Sequence, residues 1–340
     1  MKFFIIFFMS LAAISGYLGY RNSLHTYATV SPIPTSYPNT NTQKNVLAAA
    51  ATATPFVTPR ATPFATPTPS LTPTLPPIYV EPPIEEPMNQ STLGETIEKS
   101  LRNTSSTYGV YVKNLRTGEY YGVNETRNFE PASLYKLWVM AKTYEAIQNG
   151  ELKESDILSQ SIARLNSEFG ISPELAELTE GSITLTVENA LTRMITVSDN
   201  YAAYLLSEKL TNSAIQQYLI EHGFMLSTLG DPPQTTPLEI ARFLEQLYSE
   251  KLTTHEYTQK MISLLKKQQL NGKMPKYIPT TISIAHKTGE LGYFSHDAGI
   301  IYGHKGDYLI VAMSEGTNPD GSAERIAIVS KAIFDYFETK

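Results

Sequence analysis

The most restrictive feature of this chain is the uneven distribution of its proline residues. Of the 22 prolines in 340 residues, 14 lie between residues 32 and 87, a stretch rich in Thr, Ala and Ser. Proline fixes φ and has no backbone N–H, so such a stretch can form neither a regular helix nor a strand ladder. We therefore expect a disordered linker over residues 28–90 and one folded domain over residues 91–340.

An apolar segment precedes this linker. Residues 3–20 contain no charged side chain and are flanked by Lys2 and Arg21. A bilayer-spanning helix needs about 17–25 apolar residues, and the apolar core of a cleaved signal peptide is usually shorter than this run. The segment over residues 1–27 is therefore interpreted as an uncleaved membrane anchor, with the rest of the chain outside the cytoplasm. Secretion after signal cleavage is the alternative.

Composition and charge exclude several classes of protein. Because the chain has no cysteine, it can have no disulfide, no thiolate nucleophile and no cysteine-ligated metal. Residues 91–340 hold 23 of the 27 basic and 30 of the 33 acidic side chains, and this net charge of −7 argues against nucleic acid as a partner. The six histidines show no paired ligand spacing, and the sequence has no phosphate-binding loop and no dinucleotide fingerprint, so no metal or other cofactor is expected.

The order of predicted elements indicates an α+β fold. A helix over residues 93–101 is followed by strands over residues 108–115 and 119–123, which read as a hairpin. A long series of helical patterns comes next. Three strands (residues 282–287, 298–302 and 308–313) and an amphipathic helix (residues 323–337) end the chain. Because helices and strands do not alternate, we expect an antiparallel sheet of about five strands that joins both chain ends, flanked by an all-helical region.

The first motif with chemical content is Ser133-x-x-Lys136, which opens a strongly apolar helix. Residues three apart on a helix share a face, so the two side chains lie together. Serine is a weak nucleophile until a base takes its proton, and a buried, neutral lysine can act as that base. The spacing alone is common: Ser263 and Lys266 match it, and that pair reads as an ordinary helix surface.

The second motif, Ser198-Asp199-Asn200, follows 65 residues after Ser133. The Ser198 hydroxyl can relay a proton, and the Asn200 amide can orient a substrate amide. Three polar residues before a helix are also typical of an N-cap, and Asp199 is assigned that structural part.

The third motif, Lys287-Thr288-Gly289, ends a predicted strand. A cation and a hydroxyl at a strand edge can bind a carboxylate, and glycine lets a substrate approach the backbone closely. Here too the pattern alone is common, because Arg116-Thr117-Gly118 nearly matches it in the predicted hairpin turn.

The three motifs in this order and spacing resemble those of the class A β-lactamases and penicillin-binding proteins, which are active-site serine hydrolases. The resemblance extends to Phe129-Glu130-Pro131, Thr235-Thr236-Pro237 and His296-Asp297-Ala298-Gly299, and covers the chain from residue 93 to the C-terminus. It implies a β-lactamase/transpeptidase-like fold, a β-lactam or D-Ala-D-Ala-type peptide substrate, a bacterial membrane and cell wall as surroundings, and a monomer.

The resemblance also implies a part for each motif residue. Ser133 forms the acyl-enzyme, Lys136 acts as base or proton relay, Ser198 passes a proton to the leaving nitrogen, and Asn200 positions the substrate amide. The substrate carboxylate is bound by Lys287 and Thr288 beside Gly289, and the backbone N–H groups of Ser133 and Glu290 form the oxyanion hole.

The chain departs from the class A pattern in one respect. That family carries an E-x-x-L-N loop whose glutamate activates the deacylating water, and no such motif lies between Ser198 and Lys287. The matching stretch, residues 223–234, is short. Glu239 is interpreted as part of a capping box after Thr236, and Asp231 as a turn residue. We expect acylation by penicillins with slow release.

Three functions remain open at this point. A β-lactam-opening serine hydrolase follows from the overall pattern, and a D,D-peptidase acting on peptidoglycan stem peptides follows from the short loop. A non-catalytic module that binds cell-wall peptides is the third, although Ser133, Lys136, Ser198 and Lys287 are all present.

Overall fold

A five-stranded antiparallel sheet joins the two ends of residues 90–339, the part of the chain described by this computed structural model. Its strands are β1 Thr107–Asn114, β2 Tyr120–Val123, β5 Ser283–Leu291, β6 Phe294–Gly303 and β7 Gly306–Glu315. They lie in the order β2, β1, β7, β6, β5. The sheet confirms the predicted α+β fold, including the hairpin of β1 and β2 near the start of the domain.

Nine helices surround the sheet in the described part of the chain, and they divide between its two faces. They are α1 Gln90–Ser100, α2 Lys136–Gln148, α3 Ile162–Glu168, α4 Val187–Thr196, α5 Asn200–Leu210, α6 Asn212–Glu221, α7 Pro237–Tyr248, α8 His255–Lys266 and α9 Pro319–Thr339. The first and last pack together on one face, and helices of the middle of the chain cover the other.

The alternation of side chains along β1 and β7 builds a hydrophobic core on each face. Val110 and Ile310 belong to the core under α1 and α9, whereas their neighbours Tyr111 and Val311 belong to the larger core under the middle helices. Successive strand residues point to opposite faces, so a central strand with helices on both sides must be apolar throughout. The buried run from Tyr308 to Ser314 fits this requirement.

Two features of the strands differ from the prediction. The strand expected to end at the third motif continues to Leu291, because pairing with β6 extends from Ser283↔Tyr302 to Leu291↔Phe294. A separate two-stranded ribbon, β3 Ile157–Ser161 and β4 Ser182–Thr186, was not predicted. Its residues are mostly polar and partly exposed, so they give no apolar alternation to read.

The predicted anchor over residues 1–27 and nearly all of the linker over residues 28–90 lie outside the described residues. Among residues 90–339, no helix has the length and apolar character needed to cross a membrane.

Candidate active site

The turn that carries Ser133 lies directly before the most buried helix of the domain. Residues Ala132–Tyr135 form a 3₁₀ turn that runs into α2 at Lys136. Ser133 therefore lies one turn before the α-helix rather than inside it, half-buried, whereas Lys136 is fully buried. Ala132 has φ of 46°, a left-handed conformation that costs energy for a residue with a Cβ and that clusters at functional sites.

Contacts from the sheet fix this turn in place. His296 Nδ1 accepts a hydrogen bond from the Ser314 N–H (3.2 Å), so its Nε2 carries the proton and donates to the Glu130 carbonyl (2.8 Å). Burial lowers the pKa of His296 to about 4, which keeps the ring neutral. A Cβ on Gly289 would lie 3.1 Å from the Pro131 carbonyl, so this glycine permits the close approach of strand and turn.

Lys136 places its side-chain nitrogen against the second motif. Its Nζ lies 2.6 Å from the Ser198 carbonyl, 2.7 Å from Asn200 Oδ1 and 3.3 Å from Ser198 Oγ. Burial lowers the pKa of Lys136 to about 7, although the charges of Asp199 and Glu177 act in the opposite direction. At neutral pH a large fraction of this amine is therefore unprotonated and able to accept a proton.

Lys287 reaches the same hydroxyl from the strand side. Its Nζ lies 2.9 Å from Ser198 Oγ and 2.7 Å from the Thr288 carbonyl. Burial lowers the pKa of Lys287 well below its usual value, and the nearby cations Lys136 and Lys273 lower it further. The Ser198 hydroxyl thus connects two buried lysines, which is a suitable arrangement for moving a proton between them and a bound molecule.

Asp199, between Ser198 and Asn200, caps a helix as predicted. Asp199 is the N-cap of α5, where its Oδ1 accepts from the Ala202 N–H (2.9 Å), and its Oδ2 pairs with Arg193. Ser198 has φ of 59°. The motif is therefore both a helix cap, as the polar pattern suggests, and the source of two side chains that face Lys136.

The third motif lies inside β5, at the open edge of the sheet. Thr288 is buried, and Gly289 pairs with His296 of the neighbouring strand. The carboxylate of Glu290 is 69% exposed and forms an ion pair with Lys273 (2.8 Å). The backbone contribution of Glu290 to an oxyanion hole stays a prediction.

Lys273 is a site residue that sequence reasoning missed. It is buried beside the third motif, and its Nζ donates to the carbonyls of Gly289 (3.2 Å) and His296 (3.1 Å). It therefore braces the strand pair next to Lys287 and adds positive charge there. No motif marks this residue, because it lies in an irregular segment between α8 and β5.

Glu177 is the second residue that was missed. It lies in the loop between α3 and β4, and its Oε1 accepts a hydrogen bond from Asn200 Nδ2 (2.6 Å). Asn200 therefore links the carboxylate to Lys136, which its Oδ1 contacts. A loop acid 23 residues before Asn200 gives no signal in the sequence.

The short stretch after α6 is held in place by backbone pairing and by hydrogen bonds. Thr228 and Gln234 pair across the loop, and Thr235 then pairs with Phe129, just before the Ser133 turn. Thr236 caps α7 as predicted. The buried Glu239 carboxylate accepts from the Leu226 N–H and the Ser227 hydroxyl, both at 3.2 Å, and so holds the loop.

Within the described residues, no group of three or more His, Asp or Glu side chains is arranged to hold a metal ion. The chemistry available at the site is that of the Ser133 hydroxyl, three buried lysines, the bridging Ser198 hydroxyl, the Asn200 amide and the Glu177 carboxylate.

The sequence of this chain is similar to those of known proteins. A family model described as the β-lactamase enzyme family matches residues 92–337. The chain is 23% identical over 265 residues to β-lactamase CARB-4 of Pseudomonas aeruginosa, with 72% of this chain and 89% of the relative covered. It is 24% identical to β-lactamase CARB-3 of the same organism over the same shares.

Solved structures share the fold. A β-lactamase from Sphaerobacter thermophilus superimposes with a TM-score of 0.65 at 23% identity, covering 74% of this chain and 99% of that one. A PBP-A mutant, in an acyl-enzyme complex with penicillin G, gives a TM-score of 0.66 at 21% identity, with coverage of 75% and 100%.

Proposed function

The chain belongs to the β-lactamase enzyme family and is a serine hydrolase that acts on β-lactams, and we propose that it opens the β-lactam amide through a Ser133 acyl-enzyme that it releases slowly. The observation that carries this proposal is the position of the Ser198 hydroxyl, which contacts both Lys287 and Lys136. Lys136 in turn follows Ser133 by one turn in the sequence motif.

The site residues support a complete acylation step. Neutral Lys136 takes the Ser133 proton while the serine oxygen attacks the β-lactam carbonyl and forms an ester. As the carbon–nitrogen bond breaks, the proton passes from Lys136 through Ser198 to the leaving nitrogen, so that no proton is gained or lost. The contacts of Lys136 Nζ with Ser198 Oγ (3.3 Å) support this path.

Other residues bind and orient the substrate in this proposal. Lys287 and Thr288 bind the substrate carboxylate, and the nearby cation Lys273 also attracts it. Asn200 holds the substrate amide, and the backbone N–H groups of Ser133 and Glu290 stabilise the oxyanion.

Slow release follows from the short loop before α7. Asp231 within the loop is assigned to a turn, and Glu239 at the start of α7 already accepts from Leu226 and Ser227 and holds the loop in place. A missing general base typically slows the step that it serves by about 10²–10⁴-fold. Acylation uses only groups that are present, so the ester forms faster than water removes it.

Intact-mass measurement of the full-length protein with penicillin G tests the proposal, alongside turnover of nitrocefin. We expect one penicilloyl adduct that decays slowly, its absence in Ser133→Ala, and its persistence in Ser263→Ala, which removes a serine from the exposed S-x-x-K pair on α8. Absence of an adduct without turnover would exclude acylation at Ser133. Rapid repeated turnover would exclude slow release.

Peptidoglycan stem peptides are a second candidate substrate, favoured by the same short loop. The acylation groups suit an acyl-D-Ala-D-Ala amide equally well, because the leaving group carries a carboxylate in both cases. Release of D-Ala from such a peptide, lost in Ser133→Ala, would support this activity; a penicillin adduct with no D-Ala release would exclude it.

The proposal includes the location of the enzyme in the cell. The apolar residues 3–20 and the proline-rich stretch after them suit an enzyme tethered to the outer side of a bacterial membrane. Recovery of intact chain in the membrane fraction, digestible by protease added to spheroplasts, is expected. A shortened, freely secreted chain would support cleavage instead.

A further inference from the structure

The carboxylate of Glu177 lies at the exposed mouth of the site, on the amide nitrogen of Asn200. The distance from Asn200 Nδ2 to Glu177 Oε1 is 2.6 Å. An asparagine amide nitrogen has two hydrogens, so one remains for a substrate carbonyl. A substrate bound through that carbonyl would therefore place its acyl side chain next to the Glu177 carboxylate.

Hydrogen bonds to two buried side chains hold Glu177 in this position. The next residue, Leu178, donates its N–H to the Tyr201 hydroxyl (3.0 Å), and its carbonyl accepts from Asn166 Nδ2 (2.8 Å). The Tyr201 hydroxyl in turn donates to Asn166 Oδ1 (2.9 Å). Asn166 and Tyr201 are both buried. Because Leu178 and Tyr201 directly follow Glu177 and Asn200, this network fixes the two partners beside each other.

We propose that Glu177 is a specificity-determining residue that favours substrates with a positively charged group on the acylamide side chain and disfavours those with a carboxylate there. This inference rests on the proposed function, since it takes Ser133 as nucleophile and Asn200 as the amide-binding group. The site then has buried amines at one end and a carboxylate at the other, with Lys287 and Lys273 at the carboxylate-binding end and Glu177 at the acyl end.

The test uses three penicillins that share one nucleus and differ in the charge of the side chain: ampicillin (an ammonium), penicillin G (neutral) and carbenicillin (a carboxylate). The second-order acylation constant of each is measured on the full-length protein by intact mass. Variants are Glu177→Gln and, as a matched control, Glu174→Gln. Glu174 lies in the same loop, but its carboxylate accepts from Ser172 and from its own backbone N–H.

We expect the wild type to prefer ampicillin over carbenicillin by about fivefold or more at low salt, because an exposed charge pair changes binding about two- to fivefold in each direction. The preference should shrink at high ionic strength. In Glu177→Gln the ratio should approach one, while Glu174→Gln keeps it.

Equal acylation constants for ampicillin and carbenicillin in the wild type would overturn the inference, and so would a ratio of these constants that Glu177→Gln does not change. If Glu177→Gln instead slowed deacylation and left the ratio intact, Glu177 would be assigned to water activation. The result with penicillin G distinguishes failure of the proposed function from failure of the Glu177 assignment. If penicillin G forms no Ser133 adduct, the proposed function fails, whereas an adduct without charge preference refutes only the assignment of Glu177.

Discussion

Lys287 Nζ lies 2.9 Å from Ser198 Oγ, and this contact joins the edge strand β5 to the start of α5 across the candidate site. Lys136 reaches the same oxygen from α2 at 3.3 Å. Two amines that donate to one hydroxyl leave its proton free to point toward a bound molecule. In the proposed acylation, Ser198 can therefore hand its proton to the leaving nitrogen of the opened amide.

Replacement of Ser198 by Ala should slow acylation by penicillin G about 10²–10⁴-fold, because the proton relay to the leaving nitrogen is removed. The second-order acylation constant, measured by intact mass, checks this. Ser263→Ala, on the exposed face of α8, is the control and should acylate like the wild type. A Ser198→Ala constant within threefold of the wild type would contradict the relay.

Lys136 predicts the pH dependence of acylation. Its pKa is lowered to about 7 by burial, so the neutral amine that accepts the Ser133 proton becomes more abundant as pH rises through 7. The acylation constant should rise about tenfold per unit below that pH and level off above it. Lys136→Arg, which stays charged, should lose acylation at every pH. A profile that falls between pH 6 and 8 would show that the ammonium is the active form.

Sequence motifs predict the core of the candidate site because each motif is local. Ser133 and Lys136 are one helical turn apart, and the polar cap of α5 delivers Ser198 and Asn200 together, so spacing alone places these pairs. Ser263 and Lys266 share the spacing of the first motif, and the structure places them on the exposed surface of α8, as expected for a pair that no other motif accompanies.

Lys273 and Glu177 could not be predicted, because both come from irregular segments whose paths depend on packing elsewhere. Lys273 is placed by carbonyls of β5 and β6, and Glu177 by the buried hydroxyl of Tyr201 beside it. Neither relationship corresponds to a fixed sequence spacing. The same reason applies to Glu239, whose cap position was predictable from Thr236 but whose carboxylate binds residues of the preceding loop.

His296 should make the domain lose stability in acid. Its pKa is about 4 when folded against an ordinary value of 6.5, so between those values the unfolded chain binds a proton that the folded one does not, and the free energy of unfolding falls as pH falls. The loss from pH 7 to pH 5 should be about 2 kcal/mol.

Urea unfolding at the two pH values measures this contribution. His296→Asn should be less stable at pH 7 by about 1–3 kcal/mol, because the buried Glu130 carbonyl or the Ser314 N–H loses its partner. Its further loss between pH 7 and 5 should be smaller than that of the wild type. An equal loss in both proteins would assign the acid sensitivity to other groups.

Glu239 should affect stability and not deacylation. Burial raises the pKa of its carboxyl, while the hydrogen bonds from Leu226 and Ser227 that hold the short loop act in the opposite direction. Glu239→Ala should therefore lower the free energy of unfolding by about 1–3 kcal/mol, as expected when a buried donor loses its acceptor. The decay of the penicilloyl adduct should stay within twofold of the wild type.

A surface acid on the same helix provides the control for the Glu239 variant. Glu245 forms a partly exposed ion pair with Lys113 (2.7 Å), and Glu245→Ala should cost no more than about 1 kcal/mol. Unfolding midpoints and adduct half-lives, measured on the same preparations, separate the two possible effects of residue 239. If Glu239→Ala slowed adduct decay more than tenfold while stability was unchanged, Glu239 would be the base for deacylation, and the short loop would not account for slow release.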